Sequence, residues 1–599
     1  MKKIKSLKKI PYGISNYTLF REDNLYYVDK TRFIRHIEEK GYFLFFIRPR
    51  RFGKSLFLST LQVYYDIDRK DRFDFFFKDT AIHRDPTPGK NKYLILKFDF
   101  SAVNPDVHQV EDSFLSHVKN SSDIFLYHYK ELLGITPDEA KTELAAKKNP
   151  SDIIETVLKY CREKKQKVYV FIDEYDNFAN TILSTAGEPE YQKLTHGEGF
   201  FRAFFNVLKS GTSGPDAPIS RLFMTGVSPI TLDDVTSGFN IAGNISLDPG
   251  INDMLGFTRG EVETMIEYYR QAGKIHHPTA ELLPLMRRWY NRYRFSMDAE
   301  KEVFNSVQVL YFLDNYFINS RIPRDIVDRS VRIDYQKLRH LIIIDQKGAP
   351  GLSKSNGNFS KLTKIIETGS VHSTIEKGFP VDKLTAPENF ISLLFYFGLL
   401  TISGIDEANN AILSIPNETV KGLYYDYIKE TYAETRVFSL DMDRYAALMR
   451  EMAFQGKWRP LLDYISERMQ SALGLRDLMT REKAIQAFLN VYLGLSNLYI
   501  VHSEKELNRG FADLVLEPFL AQYPAIKYSY LIEIKYLKSS AAKAEVPAGE
   551  VQKLREEAEA QLKQYSADEQ FRKAIGRTGL IKLVLVFCGP RLVYSGEAQ

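Results

Sequence analysis

Phe43 to Leu58 constrain the fold of this chain more than any other stretch. Five apolar residues, Phe43 to Ile47, read as a buried strand. A basic turn follows, Arg48-Pro49-Arg50-Arg51-Phe52, then Gly53-Lys54-Ser55, then the apolar opening of a helix, Leu56-Phe57-Leu58. Strand, glycine-bearing loop and helix in that order form the setting of a phosphate-binding loop. Gly53 lets the backbone approach a phosphate, Lys54 reaches the β- and γ-phosphates, Ser55 can hold Mg²⁺, and the helix amides favour anions. Arg48 stands where the full pattern has its first glycine. Taken alone, Gly-Lys-Ser reads more readily as a basic turn capped by glycine. The flanking strand and helix favour the phosphate loop.

At 599 residues the chain exceeds a single core and predicts about three to four domains. A hydrophobic share of 44% with 13% aromatics fits a globular chain and excludes a disordered one. The net charge of +5 is too small to argue for or against a nucleic-acid partner. Two cysteines far apart, Cys161 and Cys588, fit a reducing compartment and exclude a cysteine-based zinc site. The Lys-rich start is followed by no apolar stretch, and the run Phe390 to Ile402 is too short to span a bilayer. A cytoplasmic protein without a membrane partner is expected.

About 120 residues after the loop, Val168 to Ile172 form a second apolar run that ends in Asp173-Glu174-Tyr175-Asp176. Parallel strands buried on both faces look like this, with polar groups only at the carboxyl end. Beside a phosphate loop, Asp173 is placed to hold Mg²⁺ and Glu174 to polarise the attacking water. The alternative is an ordinary strand end with solvated acids. A third strand, Leu222 to Thr225, leads into Gly226-Val227-Ser228-Pro229, where Thr225 or Ser228 either senses the γ-phosphate or caps the turn. Tyr93 to Asp99 supplies another strand, and helical stretches such as Asp152 to Lys164 separate the strands. An α/β parallel sheet follows.

Ile10-Pro11-Tyr12-Gly13, Tyr27-Val28-Asp29-Lys30-Thr31, Arg48 to Ser55, Ile172 to Asp176 and Thr225 to Pro229 together resemble the bacterial AAA-ATPase-like family, over roughly residues 8–230. The resemblance implies ATP as cofactor, held by Arg50, Arg51, Phe52, Gly53, Lys54, Ser55 and Leu56. It also makes Arg48 a family trait and implies a nuclease-like domain at the carboxyl end.

After Asp233-Asp234 the pattern turns helical, with Thr258 and Glu261 spaced as a capping box. Trp289 to Phe295 resembles the family's aromatic-arginine motif in a helical lid (236–349). There Arg294 contacts nucleotide or, more simply, lies over the aromatics. Pro350 to Phe359 reads as a linker. A helix at Pro387 to Phe397 and a hairpin over Leu399 to Pro416 suggest a winged-helix-like unit, with helices continuing to about residue 470, so that 350–469 reads as a connector.

Near the carboxyl end, Asp513 lies in one strand and Glu533-Ile534-Lys535 in the next. Period 2 puts Glu533 and Lys535 on one face. Two carboxylates and an ammonium group suit phosphodiester hydrolysis: the acids bind Mg²⁺ or Mn²⁺ and the lysine offsets charge developing on phosphate. Glu-x-Lys alone is uninformative, because exposed strands produce it constantly. Glu482 on an upstream helix adds a third carboxylate, and Gln561 and Tyr565 sit one helical turn apart. Over residues 470–599 these resemble the PD-(D/E)xK nuclease superfamily, in the branch with a Gln-x-x-x-Tyr motif, with Leu580 to Phe587 as a later core strand. Ala512 replaces the motif's proline. The segment 471–599 holds 17 Lys and Arg against 15 Asp and Glu, so it has no basic footprint.

The expected fold is therefore a multidomain α/β chain: a P-loop ATPase core (1–235), a helical lid, a winged-helix-like middle and a restriction-endonuclease-like domain. Three functions stand: an ATP-binding, ATP-hydrolysing regulator of a metal-dependent nuclease acting on nucleic acid, DNA before RNA, in repair or defence; a nucleotide-dependent scaffold with an inactive nuclease-like domain; or an ATP-fuelled motor. Self-association is expected with the first.

Overall fold

The computed structural model describes residues 7–197, 199–230, 242–328, 330–331, 358–383, 386–434, 438–472, 481–537 and 548–598. Asp233, Asp234 and the linker read at Pro350 to Phe359, except its last two residues, lie outside the described residues. The chain divides into two compact units. One holds the described residues of 1–321, 325–347 and 371–417. The other holds those of 322–324, 348–370 and 418–599. The stretch 350–469 is thus shared: the hairpin segment belongs with the first unit and the helices after Asn417 with the second.

The first unit is built on β1 (Phe43–Ile47), β2 (Leu94–Asp99), β3 (Val168–Asp173), β4 (Ile219–Gly226) and β5 (Gly243–Asn244). They form one parallel sheet in the order β2-β3-β4-β1-β5. All six residues of β3 are buried, as a parallel strand covered on both faces requires. The order puts β4 between the loop-bearing β1 and the acid-bearing β3. Helices such as Pro150–Glu163, capped by Asn149, return the chain between parallel strands.

The stretch expected to be a lid contains helices: Arg259–Gln271 opens with the Thr258–Glu261 capping box, and Thr279–Tyr290 and Ser306–Asn319 follow. Helix Pro387–Tyr396 follows β6 (Ser370–Ser373) and precedes β7 (Thr401–Ile405) and β8 (Ala411–Ser414), and the three strands form one sheet in the order β6-β8-β7. A helix followed by a hairpin thus stands where the sequence pattern places them.

In the second unit, β9 (Tyr499–Leu507), β10 (Gly510–Pro518) and β11 (Tyr528–Leu537) run as an antiparallel meander. Helix Ala548–Tyr565 precedes β12 (Gly579–Cys588), which pairs parallel to β11, and β13 (Arg591–Glu597) closes the edge. Ala558, Leu562 and Tyr565 of that helix pack on Val515, Leu531, Val584 and Val586. Helix Glu482–Gly494 carries a further run of buried residues, Ile485 to Leu493. Among the described residues no helix is long and apolar enough to cross a membrane.

Candidate functional site

β1 leaves the sheet at Ile47, and residues 48–53 turn the chain into helix Lys54–Tyr65. Arg51 (φ 71°) and Gly53 (φ 95°) both occupy the left-handed region. Glycine meets that need at 53 without strain, whereas Arg51 carries about 1–3 kcal/mol of it. The helix has no side-chain N-cap, so its first amides remain available to an anion. A cavity of about 680 Å³ opens there, a size suited to a small-molecule ligand. Arg50, Arg51, Phe52, Gly53, Lys54, Ser55 and Leu56 all line it, with Asp173 and Glu174 opposite.

Lys54 Nζ donates to the carbonyls of Arg48 (3.0 Å) and Pro49 (3.2 Å) and lies 3.9 Å from the Glu174 carboxylate. Burial raises the Glu174 pKa, and the Lys54 and Arg50 charges counter the rise. Asp173 is 3% exposed, and its Oδ1 accepts from the Thr225 hydroxyl (2.6 Å) and the Glu174 amide (3.0 Å).

Several expected residues sit elsewhere. Thr225 is absent from the cavity wall and braces Asp173 from β4. Ser228 is fully buried, its amide held by Asp176 Oδ2 (2.6 Å) and its carbonyl accepting from the Tyr175 hydroxyl. Asp176 also accepts from the Val227 amide and Asn180 Nδ2, while burial pushes its pKa up. Arg294 does not reach the cavity either, since its Nε donates to the Ile402 carbonyl of β7 at 3.1 Å. Its neighbours Tyr293 and Phe295 meet Phe52 edge-on, with ring centroids 4.9 and 5.4 Å away. The aromatic-arginine motif therefore packs against Phe52 of the turn between β1 and its helix.

Arg48 explains the missing first glycine. It is 2% exposed, lies 4.5 Å from the Phe46 ring and 4.3 Å from the Phe295 ring, and donates to the Ile47 and Ser246 carbonyls. The side chain fills the floor of the loop and does not line the cavity.

Sequence reasoning missed other wall residues. Pro11, Tyr12 and Gly13 line the cavity, as does Asp99, which β2 sets in register with Asp173. Asn177 accepts from Arg50 Nη2 at 3.0 Å. Asp99 carried a legible signal, an apolar run ending in an acid just as β3 does.

In the second unit, the register Leu514↔Ile532 brings Asp513 beside Glu533. β10 pairs with β11 from Leu514 onward, and Asp513 Oδ2 accepts the Ile534 amide at 2.7 Å. Lys535 Nζ donates to Glu533 Oε1 at 2.9 Å, while Glu533 Oε2 is buried without a hydrogen-bond partner. Burial raises the pKa of both Asp513 and Glu533, and the Glu533 charge raises that of Asp513 further. Burial alone would lower the Lys535 pKa, but Glu533 and Asp513 outweigh it and raise it.

Glu482, first residue of its helix, acts on all three charges. Tyr565 and its hydrogen-bond partner Gln561 sit at the same cluster, near enough to Glu533 and Lys535 to feel their fields. The Tyr565 ring lies against Gly510 so closely that a Cβ there would stand 2.4 Å from it. The six residues expected at this site, Asp513, Glu533, Lys535, Glu482, Gln561 and Tyr565, thus meet in one cluster, and Glu174 lines the cavity of the first unit. Among the described residues no three His, Cys, Asp or Glu side chains are arranged to hold a metal ion.

Residues 11–236 match the model of the predicted AAA-ATPase family, and residues 480–597 that of the PD-(D/E)XK nuclease superfamily. The protein of the vnfD 5′ region of Azotobacter chroococcum mcd 1 is similar at 27% identity over 335 residues, 54% of this chain and 56% of its own length. The chain thus spans about half the length of that curated relative. A solved structure, the Aeropyrum pernix Orc1 protein in complex with DNA, aligns with 68% of this chain and 89% of its own at 11% identity, with a TM-score of 0.24.

Proposed function

We propose, for a chain that joins an AAA-ATPase-like domain to a PD-(D/E)XK nuclease superfamily domain, that ATP binding and hydrolysis in the first control a metal-dependent nuclease in the second. The substrate is nucleic acid, DNA before RNA, in a cytoplasmic repair or defence role, with nucleotide state governing self-association or access to the nuclease site. One observation carries the nuclease half: Glu533 presents a buried, unpartnered carboxylate oxygen beside Asp513 and Lys535. Lys535 meets only Oε1, and a buried acceptor oxygen left without a partner costs about 1–3 kcal/mol, so Oε2 is open to a cation. Hard carboxylate oxygens suit Mg²⁺ or Mn²⁺, so the residues fit the ion.

Asp513 and Glu533 would hold that ion, which supplies Lewis-acid stabilisation of charge on the scissile phosphate. Lys535 keeps its proton, because the flanking acids raise its pKa, and offsets negative charge at the same point. Tyr565, its ring against Gly510, encloses the cluster from the helix side. In the ATP site Lys54 exchanges the Arg48 and Pro49 carbonyls for phosphate oxygens. Ser55 and Asp173 would hold Mg²⁺, and Glu174 orients and deprotonates the attacking water.

The test incubates purified protein with plasmid, single-stranded DNA and RNA, with Mg²⁺ or Mn²⁺, with and without ATP. Cleavage that disappears in Asp513→Ala and Lys535→Ala supports the proposal, and no cleavage of any substrate in any condition overturns it. The near balance of 17 basic against 15 acidic residues over 471–599 favours a second function, a nucleotide-dependent scaffold whose nuclease-like domain only binds. A scaffold keeps its biological activity in those two variants.

A further inference from the structure

Asp513 sits where the ladders on both sides of its strand lapse. Toward β11, the pairing stops at Leu514↔Ile532. Toward β9, it passes from Ala512↔Lys505 to Leu514↔Ser503 and omits the residue between, Glu504, whose φ of 49° takes it out of extended geometry. Two substitutes appear. The Asp513 carboxylate accepts the Ile534 amide at 2.7 Å, and Gln486 Nε2 donates to the Asp513 carbonyl at 2.8 Å. Gln486 is 4% exposed, lies within helix Glu482–Gly494, and follows Glu482 by one helical turn.

We propose that Gln486 is a positioning residue that fixes the Asp513 backbone so that its carboxylate stands beside Glu533 to receive a divalent cation. The proposal rests on the nuclease assignment above and deepens it. An amide is the group the position requires. It donates to a carbonyl, as a carboxylate cannot, and it adds no charge where Asp513, Glu533 and Glu482 already repel one another. A lysine would donate but would bring a second cation beside Lys535. Partners that orient metal-binding side chains are typically worth 10–100-fold in metal affinity.

The experiment titrates Mn²⁺ by calorimetry into the full chain and into Gln486→Met, which keeps the volume and removes the donor. Melting temperature without metal is measured in parallel. The expected result is Mn²⁺ binding about 10–100-fold weaker in Gln486→Met, with DNA cleavage returning as Mn²⁺ is raised. Asp513→Asn should stay inactive at every concentration. Equal Mn²⁺ affinity in Gln486→Met and the unaltered chain overturns the role of Gln486 and leaves the nuclease assignment standing. Failure of the unaltered chain to bind Mn²⁺ overturns the assignment itself. If Gln486→Met melts far below the unaltered chain, Gln486→Leu, likewise uncharged and without a donor, is titrated with the same two outcomes.

Discussion

Replacing Thr225 by Val separates two roles for this residue. Its hydroxyl lies 2.6 Å from Asp173 Oδ1, and neither group meets bulk water, at 1% and 3% exposure. Valine keeps the shape and removes the donor, leaving Oδ1 with the Glu174 amide alone. A hydrogen bond to a charged group contributes roughly 1.5–3 kcal/mol, so a loss of about 2 kcal/mol is expected, some 30-fold in the folding constant. Denaturant unfolding of the nucleotide-free protein should show a lower midpoint with an unchanged slope. Thr225→Ser, which retains the donor, should recover most of the loss. In an Asp173→Ala background, where the acceptor oxygen is gone, the Val change should cost under about 0.5 kcal/mol, because the pair is already broken. A sensor of the γ-phosphate behaves differently: Thr225→Val would leave the midpoint in place and abolish the preference for ATP over ADP. That pair of results would refute the bracing role.

Lys54→Ala should weaken ATP binding by about 100-fold or more, two charge-assisted contacts at roughly 1.5 kcal/mol each; normal calorimetric affinity would show the phosphate site is elsewhere. Glu174→Gln should keep ATP and slow turnover by about 10²–10⁴-fold, the usual contribution of a general base, and unchanged hydrolysis would remove Glu174 from that role. Arg294→Ala should leave ATP affinity unaltered, because the guanidinium is engaged at β7, and a tenfold loss by calorimetry would contradict this placement. Burial and the Glu533 charge hold the Asp513 pKa above its unfolded value, so the folded chain keeps a proton that the unfolded chain releases. Stability contributed by that proton is lost as pH rises from about 4 toward the raised pKa, at about 1.4 kcal/mol per pH unit. Asp513→Asn, whose oxygen can still accept the Ile534 amide, removes that slope. In EDTA the variant should gain on the parent between pH 4 and pH 7 in denaturant unfolding, and a constant gap would contradict the raised pKa.

Features written in local pattern were legible before any coordinates. Buried parallel strands announce themselves as apolar runs, so β1, β3 and the loop between β1 and its helix were placed correctly, as were the Thr258–Glu261 box and the hairpin at 401–414. Asp513 and Glu533-x-Lys535 were equally legible, because a short antiparallel connection brings acids on neighbouring strands together. What stayed hidden depends on side chains that meet from distant parts of the chain. Arg48 looked like a departure in a phosphate loop until Phe295 and Ser246 were seen around it, and the choice for Arg294 between a nucleotide contact and a place over the aromatics could not show its bond to the Ile402 carbonyl.

Sequence alone determined which chemical groups this protein owns and which secondary structures carry them, since periodicity and turn chemistry act over a few residues. Tertiary structure alone decided how those groups are held: Thr225 on Asp173 from 52 residues away, Gln486 on Asp513 from 27. Those partners are chosen by strand order, by a kink at Glu504 and by the packing of one helix, and none of the three leaves a repeat in the sequence for a reader to count.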